Sequence, residues 1–178
     1  MEKVILNEEA LYHGYVKCPK GYEIDREQIK YQIMKGYIRN KDSLHNRYEV
    51  EHTKELNFFD SYINDFFSLK HEGKLNLVFK NRSSFILKEG EKRDKRNDVN
   101  VFDIPGSPVY TLIYGIELED FSSDLIIHYK YKKTPNRIWR IPLENNKFII
   151  FPSHLNYEIT KNNSKLNSFY LMNYYFEV

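Results

Sequence analysis

Between Leu75 and Val178 apolar side chains come in short runs: LNLVFK, SSFILK, VYTLIYGIEL, SDLIIHYKY, RIWRIPL, KFIIF and SFYLMNYYFEV. Turn-forming or charged residues separate them, and several alternate apolar with polar positions, which predicts strands of a mostly antiparallel pair of sheets. Before Leu75 the period is longer. In DREQIKYQIMKGYI, residues 25 to 38, Asp25 is placed to cap a helix whose apolar positions are Ile29, Ile33, Met34, Tyr37 and Ile38. In HTKELNFFDSYINDFFSLK, Thr53 starts a second helix with Leu56, Phe59, Ile63, Phe66 and Phe67 on its apolar face, and Gly73 supplies a stop.

These elements predict an α+β, mostly β chain: N-terminal helices over residues 1 to 74, packed on a jelly-roll barrel over residues 75 to 178, in a single domain. The stretch KEGEKRDKRNDVN, residues 88 to 100, mixes both charge signs with almost no apolar side chain and reads as an exposed loop. No repeat of fixed period interrupts the chain.

Composition narrows the function classes. The 15 Tyr and 12 Phe, against 7 Gly, suit pleated surfaces and partner contacts. With 27 basic and 25 acidic residues, the net charge of +2 gives no global field for nucleic acid. The segment HYKYKKTPNRIWR interleaves aromatic and basic side chains, but alternation of Lys and Tyr along a strand is also what a solvated face looks like, so nucleic acid is not expected as a partner. The longest apolar run is too short to span a bilayer, and MEKVILNEEALYHGYVKCPKGY has charges inside its apolar stretch, unlike a secretory leader. An intracellular protein with no membrane association is expected. Cys18 is alone, which leaves no intrachain disulfide and no multi-cysteine zinc site.

Catalytic signatures are sparse. The six histidines form no His-x-His, no HExxH and no helical i, i+4 pair, and read as scattered surface or half-buried side chains. No serine lies in a nucleophile-elbow pattern, and no glycine-rich phosphate loop is present. Strand neighbours can converge in space, so His128 with Asp103 or Glu117 is the alternative set for a metal.

One corner is more specific. KFIIFPSHLNYEI, residues 147 to 159, runs a strand into Phe151-Pro152-Ser153, then His154, Leu155 and Tyr157. This frame resembles the phage and bacterial branch of the 2-oxoglutarate and Fe(II)-dependent oxygenases, whose fold is the double-stranded β-helix. The resemblance covers residues 75 to 178. It implies that Tyr157 stands where the last iron-binding histidine would be, and that the cofactor-gripping arginine is replaced near Asn167 or Ser168. Aligning NVFDIPGSPVYTLIYGI with the family's His-x-His or His-x-Asp pair and its Pro-Gly-Ser-like turn puts Phe102 and Ile104 at the other ligand positions.

A facial iron site needs two imidazoles and a carboxylate. The resemblance with those side chains replaced implies no cofactor, and a non-catalytic assembly protein of a tailed-phage virion, of neck or connector type, put together in the host cytoplasm. Its partners would be other virion proteins and its own copies in a ring, with His154, Tyr170, Tyr174 and Tyr175 as contact residues. The alternatives are an active dioxygenase with displaced ligands and a phage-encoded binder of a host protein.

Overall fold

The computed structural model describes residues 10–40, 46–70, 77–131 and 134–177. Gly73, His45, His71, Lys132 and Lys133 lie outside them, as does the side chain of Phe67. Both helices form where their caps and spacing put them. In α1 (Arg26–Arg39) the Asp25 side chain accepts from the Gln28 amide at 3.0 Å, and Ile29, Ile33 and Gly36 make the buried stripe. In α2 (Lys54–Lys70) the Leu56 amide donates to Thr53 Oγ1 at 3.3 Å, and Leu56, Phe59 and Ile63 are fully buried.

Nine strands complete the chain: β1 (Tyr12–Tyr15), β2 (Leu77–Leu87), β3 (Arg93–Arg96), β4 (Tyr110–Glu117), β5 (Asp124–Tyr131), β6 (Thr134–Pro142), β7 (Lys147–Pro152), β8 (Asn156–Ile159) and β9 (Ser168–Glu177). They form two antiparallel sheets, ordered β1-β7-β4-β9-β2 and β3-β8-β5-β6.

The larger sheet is covered on both faces. Leu112, Tyr114, Phe148, Ile150 and Leu171 meet the helices on one side. Their neighbours Ile113, Ile149, Phe151, Tyr170 and Met172 point between the sheets. Burial on both faces is why KFIIF and FYLMNYYF read as continuous apolar runs rather than alternating ones.

The structure corrects several expectations. The described part of LNLVFK, from Leu77, and SSFILK up to Leu87 belong to one strand, β2, with a register shift between Phe79 and Asn81. Residues 12 to 15, within the part expected to be helical, add β1 to the edge of the larger sheet. Residues 88 to 100 are not wholly an exposed loop, because β3 pairs there with β8 and carries the buried Arg93. The last strand is interior to its sheet: β9 sits between β4 and β2. Among the described residues no helix is long and apolar enough to cross a membrane.

Candidate functional site

The short pairing of β3 with β8 sets Arg96 opposite Tyr157 and Arg93 opposite Ile159. Just past β3, the Asp98 amide donates to the Ser153 carbonyl at 3.0 Å, so the Phe-Pro-Ser corner holds this segment in place. Asp98 thereby comes to lie at the mouth of the barrel with its side chain only 2% exposed.

Every partner of that carboxylate comes from a different part of the fold. Arg47 Nη2 donates to Oδ1 at 3.0 Å and Arg96 Nη2 donates to the same oxygen at 3.2 Å. The Tyr157 hydroxyl donates to Oδ2 at 2.9 Å and Thr111 Oγ1 to the same oxygen at 3.1 Å. Thr111 also shares a 2.9 Å hydrogen bond with Ser153 Oγ. The Tyr174 hydroxyl lies 3.5 Å from Oδ1, under the Arg47 guanidinium. Burial raises the pKa of the Tyr157 and Tyr174 hydroxyls, and the charge of Asp98 raises both further, so each stays a donor at neutral pH.

A third guanidinium enters the same cluster without touching Asp98. Arg93 is 8% exposed and lies over the Phe85 ring at 4.2 Å, and Phe85 in turn stacks on Tyr170 with centroids 4.6 Å apart. The cation–π contact offsets part of its desolvation. A cleft of about 290 Å³ opens beside the cluster, with Arg47, Lys80, Arg96, Asp98 and Tyr174 in its walls.

The expected site residues distribute differently. Tyr157 is fully buried inside the barrel, and Ser168 is buried at the start of β9. Phe102 and Ile104, expected to converge with Tyr157, are 96% and 67% exposed on a turn outside the barrel. That turn is closed locally, since Asp103 Oδ1 accepts from the Gly106 amide at 3.0 Å, which holds Asp103 away from any shared site with His128. His128 Nε2 pairs instead with Glu158 at 3.0 Å, and Glu117 with Lys30 at 2.6 Å. Among the described residues no three His, Cys, Asp or Glu side chains gather where a metal could sit.

The contact residues expected on β9 are also corrected: Tyr170, Tyr174 and Tyr175 are at most 5% exposed and fill the core. His154 is exposed beside the corner. In the sequence Arg93, Arg96 and Asp98 read only as charges of an exposed, mixed-sign loop, and Arg47 and Thr111 give no signal. One signal marks two of them: Arg96-Asn97-Asp98 has the spacing of a His-x-Asp pair ahead of the Pro-Gly-Ser turn, with arginine in the first position.

No protein-family model matches this chain, and no curated protein matches it in sequence. Solved structures do match. A prolyl hydroxylase from Trichoplax adhaerens, in complex with a hypoxia inducible factor oxygen degradation domain peptide fragment, superposes with a TM-score of 0.66 at 12% identity, over 97% of this chain and 86% of that one. A Pseudomonas putida prolyl-4-hydroxylase gives 0.59 at 7% identity, over 96% and 89%. An oxidoreductase of the 2OG-Fe(II) oxygenase family from Burkholderia pseudomallei gives 0.53 at 11% identity, and the match spans only 62% of its length and 74% of this chain. Likeness at this level of identity establishes the architecture, which is the double-stranded β-helix of the 2-oxoglutarate and Fe(II) oxygenases with two helices laid on its larger sheet.

Proposed function

We propose that this protein is a non-catalytic assembly module that keeps the oxygenase barrel as a scaffold and works through protein contacts. The observation that carries this reading is the state of Asp98, whose two oxygens accept from two guanidinium groups and two hydroxyls. An iron ion of the facial type would need two imidazoles beside the carboxylate. Here Arg96 and Tyr157 face each other across β3 and β8 instead. A guanidinium has donors only and no lone pair for a metal, and a buried phenol with a raised pKa keeps its proton. The residues present do not fit iron, and the cationic arginines supply to Asp98 the positive charge a metal would otherwise bring.

Contact surface is available on the same segment. Val101, Phe102 and Ile104 are 73%, 96% and 67% exposed, three apolar side chains on one turn just beyond Asp98. Ile138 and Trp139 are exposed on β6, at the edge of the smaller sheet, and His154 stands beside the corner. Clustered apolar exposure of this kind marks interaction sites.

The resemblance of the sequence to phage-type proteins leads us to place the assembly in a tailed-phage virion, as a neck or connector ring of this chain with other virion proteins, built in the host cytoplasm. The test has two arms. Anaerobic titration with Fe(II) and 2-oxoglutarate is expected to give no metal-to-cofactor absorption band, and a band with stoichiometric iron overturns the non-catalytic reading. Mass spectrometry of purified particles is expected to find the chain as a virion component, and its absence overturns the virion placement.

A further inference from the structure

We propose that the barrel mouth binds a small oxyanion, held by Arg93 with help from Arg47 and Arg96. The argument starts from charge. Two guanidinium groups, Arg47 and Arg96, bond to one buried carboxylate, Asp98, and a third, the buried Arg93, lies near those arginines without bonding to it. Among the described residues Arg93 has no such partner: both its Nη1 and Nη2 are buried without a hydrogen-bond acceptor, as are Nε of Arg47 and Nε of Arg96. Burial weighs most on the Arg93 charge, and the charged or titratable neighbours that follow are Tyr157, Arg96, Tyr174 and Arg47, none of them a carboxylate.

An arginine cannot shed its proton to escape burial, and an unpaired buried charge is strongly unfavourable. The Phe85 ring beneath it covers one face of the guanidinium but accepts none of its in-plane hydrogens. Two terminal N–H groups in one plane match two oxygens of a carboxylate or a phosphate in bidentate geometry. The cleft of about 290 Å³ beside the cluster has Arg47, Lys80 and Arg96 in its walls, though not Arg93 itself, so its lining is cationic on the way an anion would approach. Asp98 is the one opposing charge in those walls, and its oxygens are already engaged by the two arginines, Thr111 and Tyr157. The inference stands on the unpaired guanidinium and is independent of the assembly role.

The probes are inorganic phosphate and acetate, titrated into the full chain at constant ionic strength made up with sodium chloride, with thermal unfolding and calorimetry as readouts. Either probe is expected to raise the unfolding temperature saturably, beyond matched chloride. A response to phosphate alone assigns a tetrahedral oxyanion, and a response to acetate alone assigns a carboxylate. Arg93→Met is expected to abolish the response. Arg47→Gln, a milder change at the half-exposed rim, is expected to weaken affinity about tenfold, the scale of one lost charge-assisted hydrogen bond. No response beyond chloride, or an undiminished response in both variants, overturns the proposal.

Discussion

The hydroxyl of Tyr157 donates to Oδ2 of Asp98 at 2.9 Å, joining a residue of β8 to the segment that follows β3, 59 positions earlier. Both side chains are buried, and the phenol ring packs edge-on against Phe151 of the preceding strand, with centroids 5.0 Å apart. One end of the tyrosine is core and the other is a polar network, so the pair couples the two sheets through both packing and hydrogen bonding.

Removing the hydroxyl alone tests the polar half of that coupling. Tyr157→Phe keeps the ring against Phe151 but leaves Oδ2 of Asp98 with Thr111 as its remaining donor. A loss of about 1–3 kcal/mol is expected for a buried acceptor deprived of one partner. In a chain of this length that is a fall of about 2–4 °C in unfolding temperature per kcal/mol. Urea unfolding of the two proteins side by side checks it, and unchanged midpoints would show that the hydrogen bond contributes nothing.

Asp98→Asn should be the more damaging substitution. It keeps the shape but removes the one carboxylate among the described residues that bonds to Arg47 and Arg96, leaving a cationic cluster without its carboxylate. Breaking a buried ion pair from one side costs about 3–5 kcal/mol. The loss should be larger than that of Tyr157→Phe and should shrink when phosphate or acetate is present, if an external anion occupies the cluster. Denaturant unfolding with and without those anions measures both effects.

How far the sequence discloses this arrangement depends on whether a signal is local. Asp25 and Thr53 announce their helices because capping is decided within one turn, and the apolar runs of β4, β7 and β9 announce strands because burial on both faces removes polar positions. Arg93 gives no such signal. In RDKR nothing indicates that one guanidinium lies on Phe85, since that contact is made by a strand several residues back and is stabilised only in the folded barrel. Asp98 reads as a solvated loop acid for the same reason: its partners Arg47, Thr111 and Tyr157 are brought from three separate parts of the chain. Aromatic richness in β9 suggests an interface, and the strand order shows the opposite, because an interior strand buries both of its faces.

Alkaline pH offers a test of the packed tyrosines. Burial is the first cause raising the pKa of Tyr114, Tyr157, Tyr170, Tyr174 and Tyr175, with Tyr170 pushed up to about 12. In the unfolded chain each returns to about 10. The unfolded state therefore releases protons first as pH rises, so this contribution to stability is complete below about pH 10 and is lost from there upward through the folded pKa values. Tyrosinate absorbance is expected to show an early class and a late class that appears together with unfolding. Smooth ionisation of all tyrosines near pH 10 with the fold intact would contradict the packing described for β4, β8 and β9.

Phe102 provides the sharpest separation of stability from assembly. Its side chain is 96% exposed, while the turn that carries it is held by local bonds: the Phe102 amide donates to Asn100 Oδ1 at 3.0 Å and Ser107 Oγ donates to the Asp103 carbonyl at 2.8 Å. None of these uses the Phe102 ring, so Phe102→Asp should change stability by no more than about 0.5 kcal/mol. If the exposed turn is a contact between copies, the same substitution places a carboxylate in an apolar interface core, where charged residues are depleted. Sedimentation equilibrium of the wild-type chain is then expected to show an oligomer, and that of Phe102→Asp a smaller species with an unchanged urea midpoint. An oligomer of unaltered size in the variant would remove the 101–104 turn from the interface and move attention to Ile138 and Trp139, the exposed apolar pair on β6 at the edge of the smaller sheet.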